Sequence, residues 1–336
     1  MPSINLGDII TTTLRSRTGR LADNVTNNNA LLTRLNTKGR IKPVTGGSQI
    51  LQELAYANNG TAMYYSGYET IDITPQKVID AATFDFKQAA VGVSISGLEM
   101  IQNHGKERVL DLLESRIEVA EETMKNLIST GIYSNGTAYS GKQIGGLQFL
   151  VSTTPTTGTV GGFDRSLATN AFWRNQLTSF ATMGLTPGSD TVQAAMNNLY
   201  FKTVRGTDQV DLIVADNVYF RYFMESLQAI QRITDNNSDI GKLGFQSLKY
   251  MNADVVLDGG LYAGTDNASN SYAGVPASQM YFLNTKYIHY RPHVERNMIV
   301  SEHPRYSVNQ DAEVRLILFA GNMTLSNGSL QGVLTA

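Results

Sequence analysis

Two runs of strand-forming residues stand near the start of the chain: 61–73, rich in tyrosine and β-branched residues, and 77–96, joined by Thr74, Pro75 and Gln76. Proline suits a turn and not a central strand, so the pattern predicts a long β-hairpin. Residues 61–73, at the rise of a strand, would make an arm of about 43 Å. Phe84 and Phe86 share one parity, whereas Val91, Val93 and Ile95 hold the other. That slip of phase predicts a bulge or bend dividing an outer part from a core part. A two-stranded hairpin is at best marginally stable alone. The aromatics Tyr64, Tyr65, Tyr68, Phe84 and Phe86 then need a partner surface, unless both runs are ordinary strands of a larger sheet.

The period next changes from 2 to 3.6. Ser96, Gly97, Leu98 and Glu99 have the spacing of a capping box and open a short helix, interrupted at Asn103, His104 and Gly105. A long helix is predicted over 106–130, with an apolar stripe of Leu110, Leu113, Ile117, Ala120, Met124 and Leu127 and a stop at Gly131. It would be a rod of about 37 Å, with too few heptads for a coiled coil and so laid on a sheet. Its polar face is acidic. Glu114 and Glu118 repel at four-residue spacing, and beyond ordinary solvation they offer a dock for a basic segment. Further on, the pattern predicts a strand at 147–152, a core patch of Phe172, Trp173 and Phe180, and a helix from a capping box at Asp190–Gln193 to 204. A strand at 210–215 leads to a helix capped by Asp216, with Phe220, Phe223, Met224, Leu227 and Ile230 on one face. A strand at 253–257, a loop over 258–278 and a strand-rich remainder including 313–319 complete an α+β chain. Ahead of all this, residues 1–55 read as an extended arm with one helix over 21–35, ended by Gly39, which alone could not bury enough surface to stay ordered.

Charged residues are 17% of the chain, below the usual share of about 25%, and 30 glycines help fill the gap. Such a composition suits strands, turns and surfaces that other surfaces cover. Net charge is −2, which gives no global bias toward nucleic acid or membrane. The charge is uneven, however. Within residues 1–42, seven basic residues, among them Arg15, Arg17 and Arg20, stand against two acidic ones, so the arm is suited to reach another surface. There is no cysteine, which excludes disulfides, thiolate metal sites and a cysteine nucleophile. No signal-peptide pattern and no membrane-length apolar run is present, so synthesis in the cytoplasm with no membrane partner is expected.

Chemistry is hard to find. Gly141-Lys142 and Gly241-Lys242 lack the hydroxyl residue of a phosphate loop. The Gly92–Ser96 run lacks the last glycine of a nucleophile elbow and reads better as a strand. His289 and His293 flank Pro292 and would stand too far apart on a strand to share a metal. No catalytic, cofactor-binding or metal residue is nominated, and no cofactor is expected.

The order of these elements, a basic arm, a long hairpin, a spine helix and a mixed domain, resembles that of the tailed-bacteriophage major capsid proteins. Local strings are similar too: Leu21-Ala22-Asp23-Asn24, Tyr65-Ser66-Gly67-Tyr68, Ile144-Gly145-Gly146-Leu147, Val160-Gly161-Gly162-Phe163-Asp164-Arg165, Trp173-Arg174-Asn175, Val308-Asn309-Gln310-Asp311 and Gly321-Asn322-Met323-Thr324. The resemblance implies an HK97-like capsid fold: N-terminal arm 1–55, extended loop 56–96, peripheral domain 97–186 with the spine helix, axial domain 187–280, and return strands 281–336. It also implies a structural, non-enzymatic protein that self-assembles as hexamers and pentamers into an icosahedral virion shell around double-stranded DNA, bound without sequence preference. Its partners would be a portal, either a separate scaffolding protein or none, and optionally a decoration protein. Inter-subunit contacts are then expected from Arg15, Arg17, Arg20, Tyr64, Tyr65, Tyr68, Phe84, Phe86, Glu114 and Glu118. Some relatives cross-link a loop lysine; Lys77 and Lys87 are available, but no cross-link is expected. The alternatives are a cellular nanocompartment shell of the encapsulin kind and an enzyme with an unrecognised site.

Overall fold

The structure, a computed structural model, describes residues 29–57, 59–102, 106–227, 247–258, 274–300, 305–306 and 312–336. Asn29 accepts from the Leu31 and Leu32 N–H groups at 3.0 and 3.2 Å and opens helix α1, Ala30–Thr37. Gly39, at φ 64°, lies just past its end, as the sequence predicts. The expected helix over 21–35 is met from Ala30 onward and runs on to Thr37; its earlier part, with Leu21 and Val25, lies outside the described residues. Leu31, Leu32 and Leu35 are fully buried. Helix α1 of the segment read as arm therefore shares the core of the body.

Strands β1, Ile50–Ala55, and β2, Ile79–Phe84, form an antiparallel pair. This corrects the expected hairpin: residues 61–73 form no strand, and the partner of β2 lies upstream, in the segment read as arm. The predicted bend is present. β2 ends at Phe84 and β3, Lys87–Ser96, begins after a corner at which the Asp85 carbonyl accepts from Asn322 Nδ2 at 2.8 Å. The capping box also forms: Ser96 N–H donates to Glu99 Oε2 at 3.1 Å and Glu99 N–H to Ser96 Oγ at 3.3 Å, opening helix α2, Gly97–Gln102.

Helix α3, Lys106–Tyr133, is the long rod, 28 residues or about 42 Å. It buries Ile117, Ala120, Met124, Ile128, Ile132 and Tyr133. Gly131 does not end it, as was expected, but lies inside it, where a Cβ would stand 3.4 Å from Ile144. Residues 147–152 hold a single helical turn, α4, Leu147–Leu150, and not the expected strand. Its leucines are buried three apart, a spacing that a short apolar run does not distinguish from a strand. Gly146 before it packs so closely that a Cβ would overlap the Gly131 and Ile132 carbonyls. Two-residue strands β4, Thr159–Val160, and β5, Phe163–Asp164, form a small turn.

Next come β6, Gln176–Ser179, α5, Val192–Thr203, β7, Leu212–Ala215, α6, Asn217–Ser226, β8, Ser247–Tyr250, β9, Ala253–Leu257, and β10, Gln279–Leu283. Asp216 Oδ1 accepts from Tyr219 N–H at 2.9 Å, the expected cap of α6. The box expected at Asp190 does not form: Thr191 makes no side-chain cap, its Oγ1 donating to the Thr186 carbonyl at 2.7 Å. The chain ends with β11, Ile288–Pro292, β12, Ile299–Val300, β13, Arg305–Tyr306, β14, Ala312–Leu325, and β15, Gly332–Thr335.

Two sheets organise the body. One is six-stranded in the order β6-β15-β10-β7-β9-β8. Successive residues in its strands face two different cores: Leu212 and Val214 pack with Met323 and Trp173, while Ile213 and Ala215 pack with Leu199 and Phe223. It is covered on both faces, which explains its unbroken apolar runs. The other sheet is built on β14, which pairs with β3 along one edge and with β11, β12 and β13 along the other. Helix α3 lies across β3 and β14.

Candidate interaction surface

Between β1 and β2 the chain makes an excursion whose root is fixed and whose tip is bare. At the root, Tyr56 N–H donates to the Val78 carbonyl at 3.2 Å and Tyr56 Oη to the Lys77 carbonyl at 2.9 Å. The Tyr56 ring stacks on Phe172 with centroids 4.7 Å apart. Below it, Thr83 N–H donates to the Gly161 carbonyl at 3.0 Å. Gly161 sits at φ 61°, where a Cβ would be 2.8 Å from Ala82 Cβ and 3.1 Å from Phe84 Cζ. Only a glycine lets this turn close on β2.

Beyond the root, Tyr64, Tyr68 and Ile73 are 104%, 107% and 89% exposed, with Met63, Tyr65 and Ile71 also bare. Its internal bonds are local, such as Asp72 accepting from Thr74 N–H at 2.9 Å. A segment this apolar with no cover of its own is an interaction surface by default. The expected trio Tyr64, Tyr65 and Tyr68 is thus exposed. Met63, Ile71 and Ile73 were missed; the alternation Ile71-Asp72-Ile73 was the available signal. Phe84 needs correction. It is 4% exposed and faces the Gly161 turn, so its ring is taken up inside the subunit. Phe86 is half-buried, edge-on to His293 with centroids 6.0 Å apart.

The remaining expected contacts divide. Arg15, Arg17 and Arg20 lie outside the described residues, as does the Glu114 side chain. Glu118 is exposed on α3. Arg34, one of the basic residues counted in the arm, is buried instead. Its Nε lies 3.4 Å from Asp211 Oδ2 and its Nη1 3.3 Å from Asp254 Oδ2, and Nη2 donates to the Asp211 carbonyl at 3.0 Å. Asp211 also accepts from Thr285 N–H at 2.7 Å. The arm is thereby fastened to the six-stranded sheet.

Two of the clefts beside β3 hold charged side chains that bear on the expected contacts. One, of about 580 Å³, runs between β3 and α3 past Gly92, Ser94, Glu99, Arg116 and Val119. Arg116 bridges it, donating to Glu99 Oε1 at 2.6 Å and to the Ser94 carbonyl at 2.6 Å. The Arg116 guanidinium and then the Ser96 N–H hold the Glu99 carboxyl down at about 2. The other cleft, of about 570 Å³, is lined by Lys87, Asn135, Ser140 and Asn322. There Lys87 Nζ donates to the Gly141 carbonyl at 2.7 Å, while exposed Lys77 pairs with Asp80 at 2.8 Å. Among the described residues, no group of three or more histidines or carboxylates could hold a metal, and no helix is long and apolar enough to cross a membrane.

A polar knot joins the start of α1, the end of α3 and the end of β9. The Tyr133 hydroxyl donates to Asp258 Oδ2, which also accepts from Ala30 N–H at 3.3 Å. Asp258 keeps some exposure as a residue, but its carboxyl is enclosed, and burial raises it to about 6 against the donors that lower it. A carboxyl raised above its unfolded value favours the native state most at low pH, and that contribution is lost as pH rises through about 6. We expect Asp258→Asn to flatten the stability profile between about pH 4 and 6, as read from urea midpoints. An unchanged profile would show that the enclosure is not felt.

No family model matches the chain, and no curated protein matches it in sequence. Solved structures do match. The cyanophage A-1(L) capsid asymmetric unit aligns at TM-score 0.55 with 16% identity, over 88% of this chain and 90% of that one. The capsid of Myoviridae phage XM1 aligns at 0.52 with 13% identity, over 90% and 91%. The mature capsid of bacteriophage PhiM1 aligns at 0.53 with 8% identity, over 89% and 86%. The chain has the α+β, HK97-like capsid fold.

Proposed function

We propose that this chain is the structural subunit of an icosahedral phage shell, assembling as hexamers and pentamers around double-stranded DNA. One observation carries the reading. A chain that shares its fold with capsid subunits over about nine-tenths of its length leaves a fixed-root, aromatic excursion uncovered. In an isolated molecule that surface is a liability; in a shell it is covered by the next copy. The domain boundaries follow the same logic, with 1–55 as arm, 56–96 as extended loop, 97–186 as peripheral domain, 187–280 as axial domain and 281–336 as return strands. Helices α5 and α6 with β7 to β9 lie in the proposed axial portion, and α3 on the β14 sheet in the peripheral one. No catalytic role is assigned. A portal is the partner such a shell needs, with a separate scaffolding protein or none and an optional decoration protein, and its place is the virion, after synthesis in a bacterial cytoplasm.

The test is assembly itself. Negative-stain images of the purified protein, alone and with a co-expressed scaffold, are expected to show closed shells of uniform diameter. A stable monomer under all conditions would overturn the reading.

A further inference from the structure

On the side of the body where the arm joins the β14 sheet, basic side chains gather with no acidic partner among the described residues. Past α1 the chain runs beside β11: Lys42 N–H donates to the Tyr290 carbonyl at 2.9 Å, and Tyr290 N–H to the Arg40 carbonyl at 3.2 Å, pairing Ile41 with Tyr290. Neighbouring residues of a strand face opposite ways. Tyr290 is buried and stacks on Phe319, and Ile41 packs on the same core. Arg40, Lys42, His289 and Arg291 therefore share the other face. Thr324 of β14 stands opposite His289, and Gln52 of β1 reaches over, its Oε1 accepting from Arg291 Nη2 at 2.9 Å and from Thr324 Oγ1 at 3.2 Å.

Three permanent cations and an imidazole thus meet at one place, fed by two separate segments, 40–42 and β11. No carboxylate among the described residues pairs with Arg40, Lys42 or Arg291. Arg40 Nε, Arg291 Nε and His289 Nδ1 are enclosed and have no hydrogen-bond partner among the described residues, and His289 is only 4% exposed. Buried donors left unpaired are costly, and enclosed cations without a counter-charge more so. Burial, and then the charges of Lys42, Arg291 and Arg40, press His289 down to about 4. The ring is neutral near pH 7 and offers one N–H.

We propose that Arg40, Lys42, His289 and Arg291 form a binding site for a phosphate group, free or carried by a nucleic-acid backbone. A carboxylate brings one charge and two oxygens, whereas a phosphate monoanion or dianion brings up to four oxygens for the converging donors. Guanidinium forks match that geometry, and the ammonium of exposed Lys42 supplies a mobile point charge on the solvent side.

The experiment uses the full-length subunit in buffer free of phosphate and sulfate, titrated calorimetrically with inorganic phosphate. Saturable binding is expected, with Lys42→Ala weakening it about tenfold, the loss of one charged contact, and Lys42→Ala with Arg291→Gln abolishing it. Lys42 is exposed, so its variant should keep the wild-type melting temperature and report on the site alone. A short DNA duplex then separates the two sources. Displacement of the duplex by inorganic phosphate, lost in the variants, identifies the backbone as the ligand. Phosphate binding that leaves the duplex undisturbed identifies the free ion. No saturable phosphate binding by the wild type, or equal affinity in both variants, overturns the proposal. Shell formation is scored separately on grids, so that failure here leaves the assembly reading standing.

Discussion

Replacing residues 59–76 by a short glycine-serine turn is expected to leave a folded subunit that no longer closes shells. The two cut ends are already neighbours, because Ala55 pairs with Ile79 and Tyr56 N–H reaches the Val78 carbonyl; a tight connection can join them without disturbing β1 or β2. Little of the removed segment touches the body, so the melting temperature should stay within about 2 °C of wild type. Assembly is another matter. Each large apolar side chain that passes from water into a contact contributes about 1.5–3 kcal/mol, offset by about 1–2 kcal/mol for each residue that must be ordered. With Tyr64, Tyr65, Tyr68, Ile71 and Ile73 all bare, a net loss of about 3 kcal/mol per contact is modest, and it would raise the critical assembly concentration about a hundredfold. Light scattering against concentration reads this directly. Shells that form at the wild-type threshold would remove the excursion from the argument. A longer cut, reaching through β2, would be a poorer experiment, since Ala82 and Phe84 belong to the core.

Arg34→Ala is expected to destabilise the fold strongly. It leaves Asp254, whose side chain is 4% exposed, and Asp211 without the guanidinium that joins them. Breaking a buried pair by removing one partner typically costs about 3–5 kcal/mol. Lys249, 3.2 Å from Asp254 Oδ1, can take over part of the compensation, which places the expectation near 3 kcal/mol. Urea denaturation at pH 7 checks it, and a companion Arg34→Ala, Asp254→Asn variant should recover part of the loss by removing the stranded charge. A midpoint unchanged by Arg34→Ala would mean that the seam is structural decoration.

These two sites show which parts of the molecule the sequence makes readable. The rod at 106–133, the Ser96–Glu99 box, the Asp216 cap and the strand at 253–257 follow from local patterns of period and capping, and local patterns survive folding. The break between Phe84 and Lys87 was legible for the same reason, as a slip in parity. The pairing of β2 was not. Its partner β1 reads Ile-Leu-Gln-Glu-Leu-Ala, rich in helix formers, and it becomes a strand only because β2 supplies the second edge. The tyrosine-rich run beyond it has strand propensity but pairs with no strand among the described residues. Arg34 could not be assigned from sequence either, as its partner Asp211 is 177 positions away; a basic residue in a basic segment looks like surface until the fold brings acid to it. The excursion's tyrosines were found because exposure of aromatics was inferred from a missing partner, and Phe84 was misjudged because the Gly161 turn that covers it lies far along the chain.

Strand β14 has a mechanical consequence. Its ladder with β3 runs through ten consecutive residue pairs, from Ala312 opposite Ser96 to Gly321 opposite Lys87. β3 follows directly from β2 and the root of the excursion, so a neighbour pulling on that loop along the strand axis would load the ladder in shear. Its hydrogen bonds would then share the tension at once instead of parting one after another, as they would if the strands were peeled apart. Force arriving at the loop passes into β14 and from there into three short strands on its far edge. A subunit wired this way behaves under stretch as a strap with its buckle at the centre, stiff along one line and compliant across it.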